Sequence, residues 1–131
     1  MNMNKKRVSC FFVFIFVCSC YSFSQEKKYF DANGKSAAEE YAYYYRIKVG
    51  ENQYKAYYKS NNNLYFEGTI ISCSDIDENL NKYKGVCKWY YKNGHLKKLR
   101  TFNDNGELNG ISYDYYENGD IKLKLESHLP F

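Results

Sequence analysis

The chain has 131 residues and a mass of 15.6 kDa, which suffices for one small domain. Its formal charge of +4 would suit a nucleic-acid partner, but three of the 19 basic residues and none of the 15 acidic ones lie within residues 1–24. The remainder is nearly neutral, so its charge does not support nucleic-acid binding. A hydrophobic content of 44% excludes a fully disordered chain, and a single proline excludes a proline-rich linker.

Residues 1–24 follow the order of regions that is typical of a secretory signal peptide. Lys5, Lys6 and Arg7 precede an apolar run at 11–18. This run is shorter than the about 20 apolar residues that a membrane span needs. Residues 22–24 fit the small-x-small rule for cleavage before Gln25. We therefore predict a signal peptide over 1–24 and an exported protein, periplasmic or extracellular.

A second processing route stays open at Cys20. Residues 17–20 resemble a degenerate lipobox, although a cysteine stands at position 18, where such boxes usually carry alanine, serine or threonine. In that route Cys20 is lipidated and becomes the mature N-terminus. The protein is then an outer-membrane lipoprotein, and the lipid anchor is its only attachment to a membrane.

The rest of the chain predicts short strands separated by turns. In the N-terminal cap region, 25–50, we predict a strand and turn at 29–35, a helical turn at 36–40 and a strand at 41–49; Ser36 and Glu39 have capping-box spacing. In the repeat region, 51–131, we predict a hairpin over 54–71, a polar loop at 74–84 and two further hairpins at 86–102 and 111–125. These elements indicate a mainly β fold.

Asn-Gly pairs occur at five places in the chain: 33–34, 93–94, 105–106, 109–110 and 118–119. Both residues tolerate the positive φ that a two-residue type I′ hairpin requires. Pairing about two of these turns places Tyr91 opposite Leu96 and Tyr116 opposite Ile121, as favourable aromatic–aliphatic pairs. The two hairpins superpose with a shift of 25 residues, so the chain contains an internal repeat.

The repeat has the pattern Gly-x-x-x-aromatic-Tyr-Tyr-x-Asn-Gly at 85–94, and a close copy stands at 110–119. This pattern resembles the variant MORN repeat of YwqK antitoxin-like proteins. The resemblance covers 85–125 and 54–71, and the segments at 29–35 and 42–47 are similar to those preceding the repeats in exported members. It implies consecutive β-hairpins in an elongated, twisted antiparallel sheet and supplies no catalytic residue. An antitoxin role fits an exported protein poorly.

Cys73 and Cys87 flank the polar loop at 74–84. If the flanking strands pair symmetrically about Leu80, the two cysteines lie opposite each other. In an exported domain this placement favours a disulfide. Two buried free thiols are the alternative.

The remaining chemistry-bearing residues do not form a catalytic or metal-binding pattern. His95 and His128 have no cysteine or histidine at metal-ligand spacing. Asp75, Asp77 and Glu78 lack the glycine and the terminal glutamate of an EF-hand, so we interpret them as a solvated acidic loop. We expect no metal, no cofactor and no enzymatic activity.

Tyrosine is unusually frequent, at 16 residues, and serves both sheet packing and binding surfaces. Strand parity gives six candidates for exposed, aligned rings: Tyr43, Tyr45, Tyr57, Tyr90, Tyr113 and Tyr115. The predicted binding face consists of Tyr57, Trp89, Tyr90, Tyr113 and Tyr115. We predict a non-catalytic module that binds an envelope protein through a flat Tyr/Lys face. A cell-wall or glycan-binding protein is the alternative. Choline-binding repeats share the Trp-Tyr-Tyr element but need several tryptophans, and this chain has one.

Overall fold

The computed structural model describes residues 25–128, so the predicted signal peptide and Cys20 lie outside the described residues. Eight strands form one antiparallel sheet in chain order, which confirms the predicted mainly β fold of consecutive hairpins. The strands are β1 (Lys28–Phe30), β2 (Tyr44–Gly50), β3 (Gln53–Tyr58), β4 (Leu64–Ser72), β5 (Lys82–Tyr90), β6 (Leu96–Phe102), β7 (Gly110–Tyr115) and β8 (Ile121–Ser127). The sheet continues without a break from the predicted cap region into the repeat region.

Two single-turn 3₁₀ helices, Glu39–Tyr41 and Glu78–Leu80, accompany the sheet. The predicted helical turn at 36–40 is therefore present, but it begins later and without a side-chain cap. The Ser36 N–H donates instead to the Ile76 carbonyl at 2.8 Å, which ties the segment to the loop after β4. Within 25–128, no helix has the length and apolar character needed to cross a membrane.

Four of the Asn-Gly pairs form the same type of turn, and the turn after β5 illustrates it. The Gly94 N–H donates to the Tyr91 carbonyl (3.0 Å), and the Tyr91 N–H donates to the His95 carbonyl (2.8 Å). Gly94 has a φ of 89°, whereas Asn93 is not among the residues with positive φ. The connection is thus a turn closed by a glycine bulge, not the predicted type I′ turn.

This turn changes the predicted pairing by one residue. Leu96 pairs with Tyr90 rather than with Tyr91, and Ile121 pairs with Tyr115 rather than with Tyr116. The predicted pairs are wrong because the turn takes up three residues, 92–94, instead of two, and the extra residue of the bulge lies in the strand after the turn. The pair at 109–110 does not form a hairpin turn, since Gly110 is the first residue of β7.

Tyrosine hydroxyls connect successive hairpins at these bulges. The Tyr58 hydroxyl donates to the Tyr90 carbonyl (2.5 Å), and the Tyr91 hydroxyl donates to the Tyr115 carbonyl (2.7 Å). Both carbonyls belong to residues where the ladder shifts register, so each hydroxyl ties one hairpin to the next beside a bulge. The second tyrosines of two Tyr-Tyr pairs, Tyr58 and Tyr91, are therefore structural, whereas Tyr116 in the third pair is exposed.

The predicted disulfide between Cys73 and Cys87 is wrong. The β4–β5 register pairs Phe66 with Trp89 and Ile70 with Tyr83, so the connection is centred before Leu80. The reason is that β5 begins at Lys82, inside the predicted loop. Cys87 is consequently buried beside Gly68, Cys73 is exposed beyond the end of β4, and both thiols are free.

We expect native protein to react with a thiol reagent at Cys73 and not at Cys87. Burial raises the pKa of the Cys87 thiol to about 11, and its side chain is inaccessible, so both its thiolate fraction and its access are low. Alkylation at neutral pH followed by peptide mapping checks this, with a denatured sample as the control in which both cysteines are labelled. A Cys73–Cys87 linked peptide recovered without reductant would contradict the observed register.

The strand registers place side chains on two distinct faces of the sheet. One row crosses all eight strands and defines the core face: Lys28, Arg46, Ala56, Phe66, Trp89, Lys98, Asp114 and Leu123. The next row lies on the opposite face: Ile47, Lys55, Glu67, Lys88, Leu99, Tyr113 and Lys124. The hydrophobic core, with Phe30 and Tyr44 beside Phe66 and Trp89, lies on the core face.

Candidate functional site

Four predicted binding residues lie together on the face opposite the core. We define the tyrosine face by Tyr57, Tyr90, Tyr113 and Tyr115, all of which are half-buried. The rings of Tyr113 and Tyr115 are 5.9 Å apart, and the Tyr57 ring stacks on Tyr45 at 5.6 Å. The sheet holds these rings in fixed positions because each is carried by a strand with two hydrogen-bonded neighbours.

Trp89 does not belong to this face, contrary to the prediction. Its side chain points to the core face and is 9% exposed, with ring centroids 5.0 Å from Phe66 and 5.3 Å from Tyr83. Trp89 and Tyr90 are adjacent strand residues, and adjacent residues point to opposite faces. Strand parity therefore separates Trp89 from Tyr90, and the prediction that both lie on one binding face was wrong.

Lysines give the tyrosine face an excess of positive charge. The strand lysines on this side are Lys55, Lys84, Lys88, Lys97, Lys122 and Lys124, and the acidic strand residues are Glu67 and Glu126. Glu126 pairs with Lys124 at 3.4 Å, and Glu67 accepts a hydrogen bond from the Tyr90 hydroxyl at 2.8 Å. Most of the lysine charge on this side is therefore not balanced within the face.

The core face is covered by a loop that was predicted to be solvated. Arg46 on β2 is 2% exposed and donates to Glu78 (2.5 Å), Asp75 (2.7 Å) and the Ser74 carbonyl (3.1 Å). Burial raises the pKa of Glu78, while the charge and hydrogen bond of Arg46 act in the opposite direction. Lys35 also pairs with Asp77. The acidic stretch thus anchors the loop on the sheet.

The covering loops leave a half-open cavity of about 530 Å³ on the core face. This volume falls in the range of small-molecule sites, which is roughly 300–1,000 Å³. Its aromatic walls are Tyr44, Tyr65, Phe66, Tyr83, Trp89 and Phe102. Its polar lining is Asn33, Glu78, Asn79, Asn81, Lys98 and Arg100. The sequence did not predict this cavity, because the residues that line it come from strands and loops that are distant from one another along the chain.

The basic side of the cavity contains two adjacent strand cations. Arg100 donates to Asp114 at 2.6 Å and to the Tyr113 carbonyl at 2.9 Å. The Lys98 ammonium lies 4.4 Å from the centre of the Trp89 ring, and it has no carboxylate partner within ion-pair distance among residues 25–128. Burial lowers the pKa of Lys98, and the charge of Arg100 lowers it further.

The fold and these surfaces define a class: an all-β protein built as one open sheet of consecutive hairpins, with one basic aromatic face and one face covered by loops. In the part of the chain that the structure describes, no group of histidines, cysteines or carboxylates is arranged to hold a metal ion. The chain matches no family model, no curated protein and no solved structure.

Proposed function

We propose that the protein is an exported, non-catalytic module of variant MORN repeats that binds an acidic surface of an envelope protein through its tyrosine face. The observation that carries the proposal is the tyrosine face, which no loop covers in the part of the chain that the structure describes and on which lysines outnumber acidic residues. Tyrosines are enriched in protein interfaces because a rigid ring contributes a large contact area at a low entropic cost. The unbalanced lysines favour an acidic partner.

The shape of this face favours a protein over a small molecule. The row from Ile47 on β2 to Lys124 on β8 crosses seven adjacent strands. At a strand spacing of about 4.8 Å, this row is about 30 Å long. That length is on the scale of a protein interface, which buries about 800 Å² on each partner.

Site-specific crosslinking followed by a binding measurement tests this proposal. We expect a photocrosslinking residue at Tyr113 of the full chain to capture an envelope protein in the native cell, and the same residue at Tyr41 to capture none. Tyr41 is a matched control because it is 76% exposed but lies outside the sheet. With the captured partner purified, Tyr113→Ala and the charge reversal Lys88→Glu are each expected to weaken binding at least about tenfold.

Two results would overturn the proposal. One is a purified partner whose affinity is the same for the wild type, Tyr113→Ala and Lys88→Glu. The other is crosslinking from Tyr113 to polysaccharide alone, which would support the glycan-binding alternative at this face. Tyr41→Ala should leave the affinity unchanged, since Tyr41 lies in a 3₁₀ turn outside the strands.

A further inference from the structure

The cavity on the core face has one charged group without a partner. Glu78 is paired with Arg46, and Arg100 is paired with Asp114. Lys98 lies in the same cavity lining with its ammonium over the Trp89 ring, and it forms no ion pair with another residue of 25–128. A half-buried cation is stabilised when an anion reaches it, so the cavity favours a ligand with a negative group at this end.

The other residues that line the cavity indicate the chemistry of the rest of the ligand. Rings such as Tyr65 and Trp89 give apolar contact area, which suits the C–H faces of a sugar ring. Asn33 brings a side-chain amide to the same cavity, and an amide both donates to and accepts from hydroxyls. The Asn79 amide nitrogen already donates to the Asn33 carbonyl and to Asp77. A hydroxyl of a polyhydroxylated ring can form a hydrogen bond with the Asn33 amide, which the hydrocarbon part of an apolar carboxylate cannot do.

We propose that the core-face cavity binds a carboxylate-bearing saccharide of one or two rings, with Lys98 as the anchor of the carboxylate. The cavity volume of about 530 Å³ accommodates a ligand of this size. This site lies on the face opposite Tyr113 and does not depend on the proposed protein interface.

Trp89 makes the proposal directly measurable, because it is the only tryptophan of the chain and lies in the cavity lining. Full-length protein is titrated with digalacturonate and, in parallel, with the neutral galactose disaccharide, while tryptophan fluorescence is recorded at low ionic strength. We expect a saturable response to digalacturonate and an affinity for the neutral sugar that is at least about tenfold lower. The lower affinity for the neutral sugar reflects the missing charge-assisted hydrogen bond between a carboxylate and Lys98.

Matched lysine variants separate the anchor from general surface charge. Lys98→Gln should weaken digalacturonate binding at least about tenfold, and Lys98→Arg should retain it because the charge is preserved. Lys97→Gln is the control, since Lys97 is exposed on the opposite face, and it should bind like the wild type. Thermal melts of all three variants establish that each is folded.

Several outcomes would overturn the proposal. They are the absence of a saturable response to digalacturonate, equal affinity for the neutral disaccharide, and equal losses in Lys98→Gln and Lys97→Gln. Inorganic phosphate that competes as tightly as digalacturonate would replace the saccharide with a phosphate ligand. Tyr113→Ala is expected to leave digalacturonate binding unchanged, so failure of the tyrosine-face proposal and failure of this one are distinguishable.

Discussion

Replacing Arg46 by alanine is expected to lower the free energy of unfolding by about 3–5 kcal/mol. The guanidinium is 2% exposed and is the partner of both Glu78 and Asp75. Without it, the half-buried Glu78 carboxylate keeps its desolvation cost and loses its compensating charge. The loop that covers the cavity also loses its attachment to β2. Urea unfolding of the full chain, followed by the fluorescence of Trp89, measures the loss.

Lys35→Ala is the matched control for this variant. Lys35 joins the same acidic loop through Asp77, but its own side chain is 58% exposed, and Asp77 keeps hydrogen bonds from the backbone and side-chain amides of Asn79, so removing Lys35 should have a far smaller effect. Equal losses in Lys35→Ala and Arg46→Ala would contradict the assignment of Arg46 as a buried anchor.

The stability difference between Arg46→Ala and the wild type should depend on pH. Burial already raises the pKa of Glu78, and loss of the Arg46 charge raises that pKa further. When folding raises the pKa of a carboxyl, that carboxyl stabilises the folded state at a pH below the pKa that it has in the unfolded chain. This stabilisation is lost as the pH rises through the pKa that the carboxyl has in the folded state. We therefore expect the deficit of Arg46→Ala to shrink under acidic conditions, where Glu78 is protonated, and to be full at neutral pH.

Replacing Gly68 by alanine is expected to destabilise the protein by about 1–3 kcal/mol through overpacking. An added Cβ would lie 2.7 Å from the Cys87 sulfur and 3.1 Å from both the Cys87 Cβ and the Phe66 ring. Cys87 is completely buried, so it has no solvent-facing rotamer to move into. Gly50→Ala is the control, because the nearest side chain there is the exposed Gln53.

A second variant ties this effect to the β4–β5 register. Gly68→Ala combined with Cys87→Ala removes the clashing sulfur, so the double variant should recover stability relative to Gly68→Ala. A non-zero coupling energy, measured by the double-mutant cycle in urea, is expected only if residues 68 and 87 are in contact. If the stability effects of the two substitutions are additive, the β4–β5 register is contradicted, and the symmetric pairing of the strands about Leu80 becomes the alternative.

The strands were largely predictable because their signals are local. The hairpin at 86–102 was expected from the alternating residues around Asn93-Gly94, and the structure has β5 and β6 there. The register was not predictable from the same residues, because Asn-Gly serves both a type I′ turn and a turn closed by a glycine bulge. These two turns differ by one residue, which is why Tyr90 rather than Tyr91 pairs with Leu96.

The sequence by itself determined the chain of hairpins, the positions of the turns and the tyrosine repeat, since each depends on φ preferences and side-chain alternation over a few residues. Only the tertiary structure decided which face is covered and where the cavity lies. Arg46 and Glu78 are 32 residues apart, and nothing local to either indicates their contact. The same holds for Lys98, which follows the exposed Lys97 in the sequence and differs from it only by the face that the sheet assigns to it.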